Sequence, residues 1–236
     1  MSPFLGEFIG TMLLIIMGDG VVANVVLNKT KGNNSGWIVI TFGWAMAVFL
    51  GVYVSTSLGG GGHLNPAVTI AMAAFNPDFD ASLLPSYVGA QFAGAITGAI
   101  IVWVAYKQHF DVTDDKDGKL AVFCTAPAIR SPFFNLLTEM IGTFVLVLGA
   151  LAMSKPSSTL GTLDALPVAL LILGIGLSLG GPTGYGINPA RDLGPRITHF
   201  ILPIKNKRDS DWGYSWIPVA GPVIGGLLAA YLFKLL

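Results

Sequence analysis

The sequence predicts an all-α membrane protein: six transmembrane helices plus two re-entrant half-helices, arranged as an inverted repeat. Three observations carry this expectation. Of the 236 residues, 53% are hydrophobic and 11% charged, against roughly 25% charged in an ordinary soluble domain. Six apolar windows approach the ~20 residues that a spanning helix needs, and two more apolar stretches are too short to cross. The motifs of the first half return in the second.

The windows run from Phe4 to Leu27, Trp37 to Leu58, Leu83 to Tyr106, Phe133 to Ser154, Ala165 to Gly181, and Trp212 to Leu236. The short stretches, Leu64 to Phe75 and Ile187 to Phe200, are each entered through Asn-Pro-Ala. From Lys107 to Arg130 the composition is that of a loop, with Asp111, Asp114, Asp115, Lys116, Asp117 and Lys119 dividing the spans three and three. The N-terminus passes from Met1 into Phe4, Leu5 and Glu7 without a basic segment, so we expect a mature first helix and no cleaved signal peptide.

The 13 basic and 13 acidic residues cancel, leaving nothing that recruits nucleic acid. A lone cysteine, Cys124, excludes an internal disulfide and a thiolate metal cluster. With neither a His-Glu-x-x-His helix nor a P-loop, neither an enzyme nor a cofactor is expected.

Glu7-Phe8-Ile9-Gly10-Thr11 returns 132 residues later as Glu139-Met140-Ile141-Gly142-Thr143. Asn65-Pro66-Ala67 returns after 123 residues as Asn188-Pro189-Ala190, and Ala90-xxx-Gly94 after 131 as Gly221-xxx-Gly225. Three spans per half is an odd number, so the second copy enters the membrane from the opposite side. The expectation is one channel domain over 1–236, with inverted repeats 1–110 and 131–236 joined by 111–130. The short helices then meet head to head, and irregular backbone at that depth is tolerated where it lines a water-filled cavity or is buried in protein.

In each Asn-Pro-Ala, asparagine can cap a helix whose first residue is proline. Two facing helix N-termini, each carrying roughly half a positive charge, repel cations and protons. The amides of Asn65 and Asn188 are expected to stay free to donate to a passing oxygen. One such motif alone reads as a turn; two in an inverted repeat read as a pore.

His63-Leu64-Asn65-Pro66-Ala67-Val68-Thr69 and Gly184-Tyr185-Gly186-Ile187-Asn188-Pro189-Ala190-Arg191-Asp192 resemble the major intrinsic protein family, the aquaporins and glycerol facilitators. The resemblance covers essentially the whole chain and points to the bacterial facilitator branch. It implies an aquaporin-like right-handed bundle and a selectivity filter of Trp44, Gly176, Tyr185 and Arg191. A guanidinium with five fixed donors beside two aromatic faces makes a slot that is apolar toward a carbon chain and donating toward hydroxyls. Read without the family, Arg191 could snorkel at a helix end, Trp44 could be packing, and Gly176 could serve helix contact. Gly176 stands where water-selective relatives usually carry histidine, and Tyr185 where many facilitators carry Phe.

Asp192 also resembles the glycerol branch, as a structural carboxylate that pairs with a base such as Arg196. Glu7 and Glu139, the only glutamates, lie inside spans, where an ionised group needs partners. The resemblance casts them as a scaffold that holds the re-entrant loops, with proton relay as the rival reading. Gln91 is assigned a similar buried role. His63 is expected to hydrogen-bond backbone in a cytoplasmic vestibule, a pH gate being the alternative. Gly6-xxx-Gly10, Gly94-xxx-Gly98 and Gly221-xxx-Gly225 serve close helix packing.

The resemblance further implies a homotetramer in a bacterial plasma membrane, with one pore per subunit. Glycerol and water are the favoured permeants; urea, hydrogen peroxide, dihydroxyacetone and lactic acid also fit. A coupled carrier is the rival class, and a water-selective channel the nearer one. One feature runs against the family topology: Lys155 and Lys234 fall inside, while Lys29, Lys31, Lys107, Lys116, Lys119, Arg130, Lys205, Lys207 and Arg208 fall outside, the reverse of the positive-inside bias.

Overall fold

The computed structural model describes residues 2–153 and 161–236; Ser154 and Lys155 lie outside the described residues. The described chain forms ten α-helices: α1 (Pro3–Val26), α2 (Trp37–Ser57), α3 (Pro66–Phe75), α4 (Leu84–Ala105), α5 (Lys107–Val112), α6 (Lys116–Ala121), α7 (Pro132–Met153), α8 (Leu166–Leu179), α9 (Pro189–Ile201) and α10 (Ile217–Leu235). Short 3-10 turns at Ala81–Leu83 and Gly161–Leu163 precede α4 and α8, and no strand occurs among the described residues. Proline in the first turn starts α1, α3, α4, α8, α9 and α10. That position donates no intrahelical bond, so the ring costs nothing there.

Among the described residues five helices are long and apolar enough to span a bilayer, and their outward faces carry exposed Ile38, Val104, Phe133, Phe134 and Leu228. Glu7, Gln91, Glu139, Asp192 and Arg196 are fully buried. This pattern of apolar outside and polar inside suits lipid as the surrounding solvent.

The structure departs from the expected spans in three places. The fifth window yields α8, 14 residues or about 21 Å at 1.5 Å per residue, because it begins at a proline and stops before Gly180-Gly181-Pro182. The final helix begins at Ile217, after a run of turns from Trp212. The polar stretch 107–130 is partly helical. Asp115 caps α6, accepting from Asp117 N and Gly118 N at 3.0 Å, while buried Phe110, Leu120 and Phe123 anchor the segment to the core.

Helices α1, α2 and α4 pack together, as do α7, α8 and α10; α2 packs on α8. The short helices cross between the groups, α3 against α10 and α9 against α4. A Cβ at Gly94 would strike the Phe8 carbonyl of α1, and one at Gly225 the Met140 carbonyl of α7. These contacts sit at matching places in the two halves, and each brings backbone against backbone.

Candidate functional site

Two loops turn inward to start α3 and α9. The Asn65 carboxamide oxygen accepts from Ala67 N at 2.9 Å, and that of Asn188 from Ala190 N at 3.0 Å and Arg191 N at 3.2 Å. The sequence predicts free amide nitrogens; in the structure one N–H of each is engaged. Asn65 Nδ2 donates to the Ile187 carbonyl and Asn188 Nδ2 to the Leu64 carbonyl, both at 2.8 Å. The helix starts meet so closely that each asparagine reaches the other loop, leaving one N–H per amide for a solute. Pro66, Ala67, Pro189 and Ala190 form the buried first turns. Leu64 and Ile187, at φ +51° and +39°, hold the left-handed backbone that turns these carbonyls toward the opposite asparagine. That geometry costs about 1–3 kcal/mol per residue and persists only where the surroundings fix it.

Two carboxylates fix it. Glu7 accepts from His63 N at 3.0 Å and Leu64 N at 2.8 Å; Glu139 accepts from Gly186 N at 3.0 Å and Ile187 N at 2.7 Å. Ser55 Oγ and Gln91 Nε2 complete the shell of Glu7 at 3.3 and 2.8 Å. Gln91 also donates to Thr69 Oγ1 at 2.9 Å. The His63 ring departs from the expected backbone partner: its Nδ1 lies 3.2 Å from Thr69 Oγ1, and the ring packs against Phe79 and Tyr87.

A cavity of about 360 Å³ passes these loops, lined by both asparagines, His63, Trp44, Tyr185 and Arg191. The lining also includes apolar Leu14, Val48, Val68, Met72, Leu146 and Ile172. The Arg191 guanidinium carbon lies 4.1 Å from the centre of the Trp44 ring, a cation–π contact that favours the charge over an aromatic face. Tyr185 meets the Trp37 ring edge-on at 5.8 Å. Gly176 does not line the cavity. It stands behind Tyr185, where a Cβ would come within 3.0 Å of the ring, and its carbonyl accepts from Trp37 Nε1 at 3.1 Å.

Asp192 faces away from the cavity. It pairs with Arg196 at 2.8 Å, both fully buried, and accepts from Thr125 N and Oγ1 at 2.7 Å. Arg196 in turn donates to the carbonyls of Ser210 and Thr125. Trp37, Thr125 and Asp19 are contributors that the motifs do not reveal. Asp19 had a visible signal, an acidic residue in the middle of an apolar window, whereas Trp37 and Thr125 look like any boundary residue. Gly176-Leu177-Ser178-Leu179-Gly180 spells the pattern of a serine-hydrolase elbow, but it lies at the end of α8 with Ser178 exposed, not on a strand-to-helix turn. No three His, Cys, Asp or Glu side chains among the described residues converge as a metal site.

Comparison with known proteins gives a consistent picture. The model of the family described as major intrinsic protein matches residues 1–233. The chain is 58% identical over 234 residues to a probable glycerol uptake facilitator protein of Thermotoga maritima, covering 99% of each chain. It is 40% identical over 231 residues to a D/L-lactic acid transporter of Lactiplantibacillus plantarum, covering 96% of this chain and 94% of that one. The aquaglyceroporin structure from Plasmodium falciparum superposes with a TM-score of 0.86 at 32% identity, over 98% of this chain and 94% of that one. With its bundle of spans and paired half-helices, the chain is a multi-pass membrane protein that belongs to the major intrinsic protein family.

Proposed function

We propose that the chain is a passive channel that conducts glycerol, water and other small uncharged solutes while turning back ions and protons. The observation that carries this reading is the opposed pair of helix starts, clasped asparagine to carbonyl, beside a cavity lined by apolar side chains together with Asn65, Asn188 and Arg191. Each helix start presents roughly half a positive charge, so a cation finds repulsion where a hydroxyl finds donors. A solute exchanges water for the remaining N–H groups of Asn65 and Asn188 and for Arg191, while its carbon face slides along the apolar lining.

Trp44, Gly176, Tyr185 and Arg191 form the filter, Gly176 indirectly by giving Tyr185 its place. Glu7, Glu139, His63, Gln91 and Asp192 are its scaffold. The chain is one channel domain, with repeats 1–110 and 131–236 joined by 111–130, and assembles as a homotetramer with one pore per subunit. The resemblance to a lactic acid transporter supports uncharged lactic acid as a further permeant. Urea, hydrogen peroxide and dihydroxyacetone fit the same slot.

Stopped-flow light scattering on proteoliposomes tests the reading. Glycerol entry is expected to be rapid and non-saturating, with the glycerol-to-water ratio altered by Trp44→Ala and by Arg191→Ala. Water flux with glycerol excluded would overturn it, and saturable uptake abolished by an uncoupler would indicate a carrier.

A further inference from the structure

Asp19 lies in α1, fully buried, and neither carboxyl oxygen meets a hydrogen-bond donor among the described residues. Arg191 Nη1 is likewise buried without an acceptor among them. The two groups are within electrostatic reach of one another. Trp44 lies between this part of α1 and Arg191: a Cβ at Gly18, the residue before Asp19, would strike its ring, and the Arg191 guanidinium carbon lies over that ring, 4.1 Å from its centre. The titratable groups whose electrostatic influence reaches Asp19 are Arg191 and Asp192 of α9 and Cys124 of the segment after α6. Asp192 is already engaged by Arg196 and Thr125, which leaves Asp19 as the uncommitted carboxyl near the cavity's arginine.

A buried carboxyl in a spanning helix is expensive, and valine would fill a similar volume without that cost, so such a residue points to a use. We propose that Asp19 is a further specificity-determining residue: acting on Arg191 from the α1 side of Trp44, its carboxyl sets where the guanidinium sits and how firmly it grips a passing oxygen. It works through Arg191 and is a positioning residue, and the inference rests on the filter reading above. Asp19→Asn takes away the negative charge this carboxyl can carry toward the guanidinium, in a low-dielectric site where charges act strongly. Arg191 then holds hydroxyl oxygens longer, and glycerol is slowed more than water.

The test compares glycerol and water permeabilities in proteoliposomes for Asp19→Asn, Asp19→Val and Arg191→Ala, and for each Asp19 variant combined with Arg191→Ala. Asp19→Asn, nearly isosteric, is expected to lower the glycerol-to-water ratio by about threefold or more, and the shift is expected to vanish where position 191 is already alanine, as for any coupled pair. A packing role would alter the yield or thermal stability of folded protein and leave the ratio of the surviving channels untouched. An unchanged ratio in Asp19→Asn overturns the proposal even if Asp19→Val fails to fold, and so does an equal shift in the Arg191→Ala background. If Arg191→Ala itself leaves the ratio unchanged, the filter reading fails and takes this proposal with it; a responsive Arg191→Ala beside a silent Asp19→Asn sinks this proposal alone.

Discussion

Glu7 satisfies four donors, two of them main-chain N–H groups in the loop before α3. Glu7→Ala takes the acceptor from the His63 and Leu64 N–H groups, at about 1–3 kcal/mol for each donor left unpaired, while Gln91 keeps Thr69 Oγ1; the detergent-solubilised variant is expected to melt well below the parent. Glu7→Gln keeps an acceptor and is expected to lose less; equal losses would show that the loop is held by other means. Gly176→Ala belongs to the same scale. Its methyl would press on Tyr185 from 3.0 Å, a contact a well-packed core relieves only by shifting. Reduced glycerol flux with little change in thermal stability is the expected outcome, read by light scattering and a melting curve. Both glutamates and the asparagine motifs were legible in the sequence because charge and proline inside apolar runs stand out. The engagement of the asparagine amides was not, since it depends on how near the two loops come. The position of Gly176 behind Tyr185 was hidden for the same reason: a missing side chain does not say what fills its place.

At the scale of elements, the close crossings predict a contrast. Gly94→Ala places a methyl against the Phe8 carbonyl, whereas a Cβ at Gly20, also on a spanning helix, meets nothing within 4 Å. The first change is expected to cost about 1–3 kcal/mol by overpacking and the second almost nothing, as measured by melting temperature. Similar losses in both would mean that glycine is needed for some reason other than α1–α4 contact. The long spans were readable from apolar length alone. The segment from Lys107 to Arg130 was not, because its many charges outweigh the few apolar anchors that dock α5 and α6. Those charges are also largely committed. Lys107 pairs with Asp111, Arg130 with Asp211 and Arg208 with Asp117; Lys119 reaches the Lys205 carbonyl, and Lys207 caps the end of α9 through three carbonyls. A charge rule fitted to loose flanking loops has less purchase on cations bound into a folded connector.

For the whole molecule, the buried Asp192–Arg196 pair joins α9 to the segments around Thr125 and Ser210. Breaking such a pair from one side costs about 3–5 kcal/mol, so Arg196→Met is expected to abolish assembly of folded protein, judged by size-exclusion chromatography; a normal elution profile would show the pair to be dispensable. The broad architecture was visible from the sequence because duplication and apolar windows are properties of long stretches. The crossing of α3 and α9 into the opposite groups of helices leaves no mark in local composition.

That crossing has a bearing on how the chain is made. Helix α3 is synthesised well before α10, yet it rests on α10, where Gly226 lies against the Ala67 carbonyl. Asn65 likewise waits for Ile187. The first half therefore enters the membrane as an unfinished piece, and synthesis has to reach α10 before its inner loop is locked. A chain stopped before Ile217 should insert its early helices and still lose the loop around Asn65 to a protease that the complete protein resists.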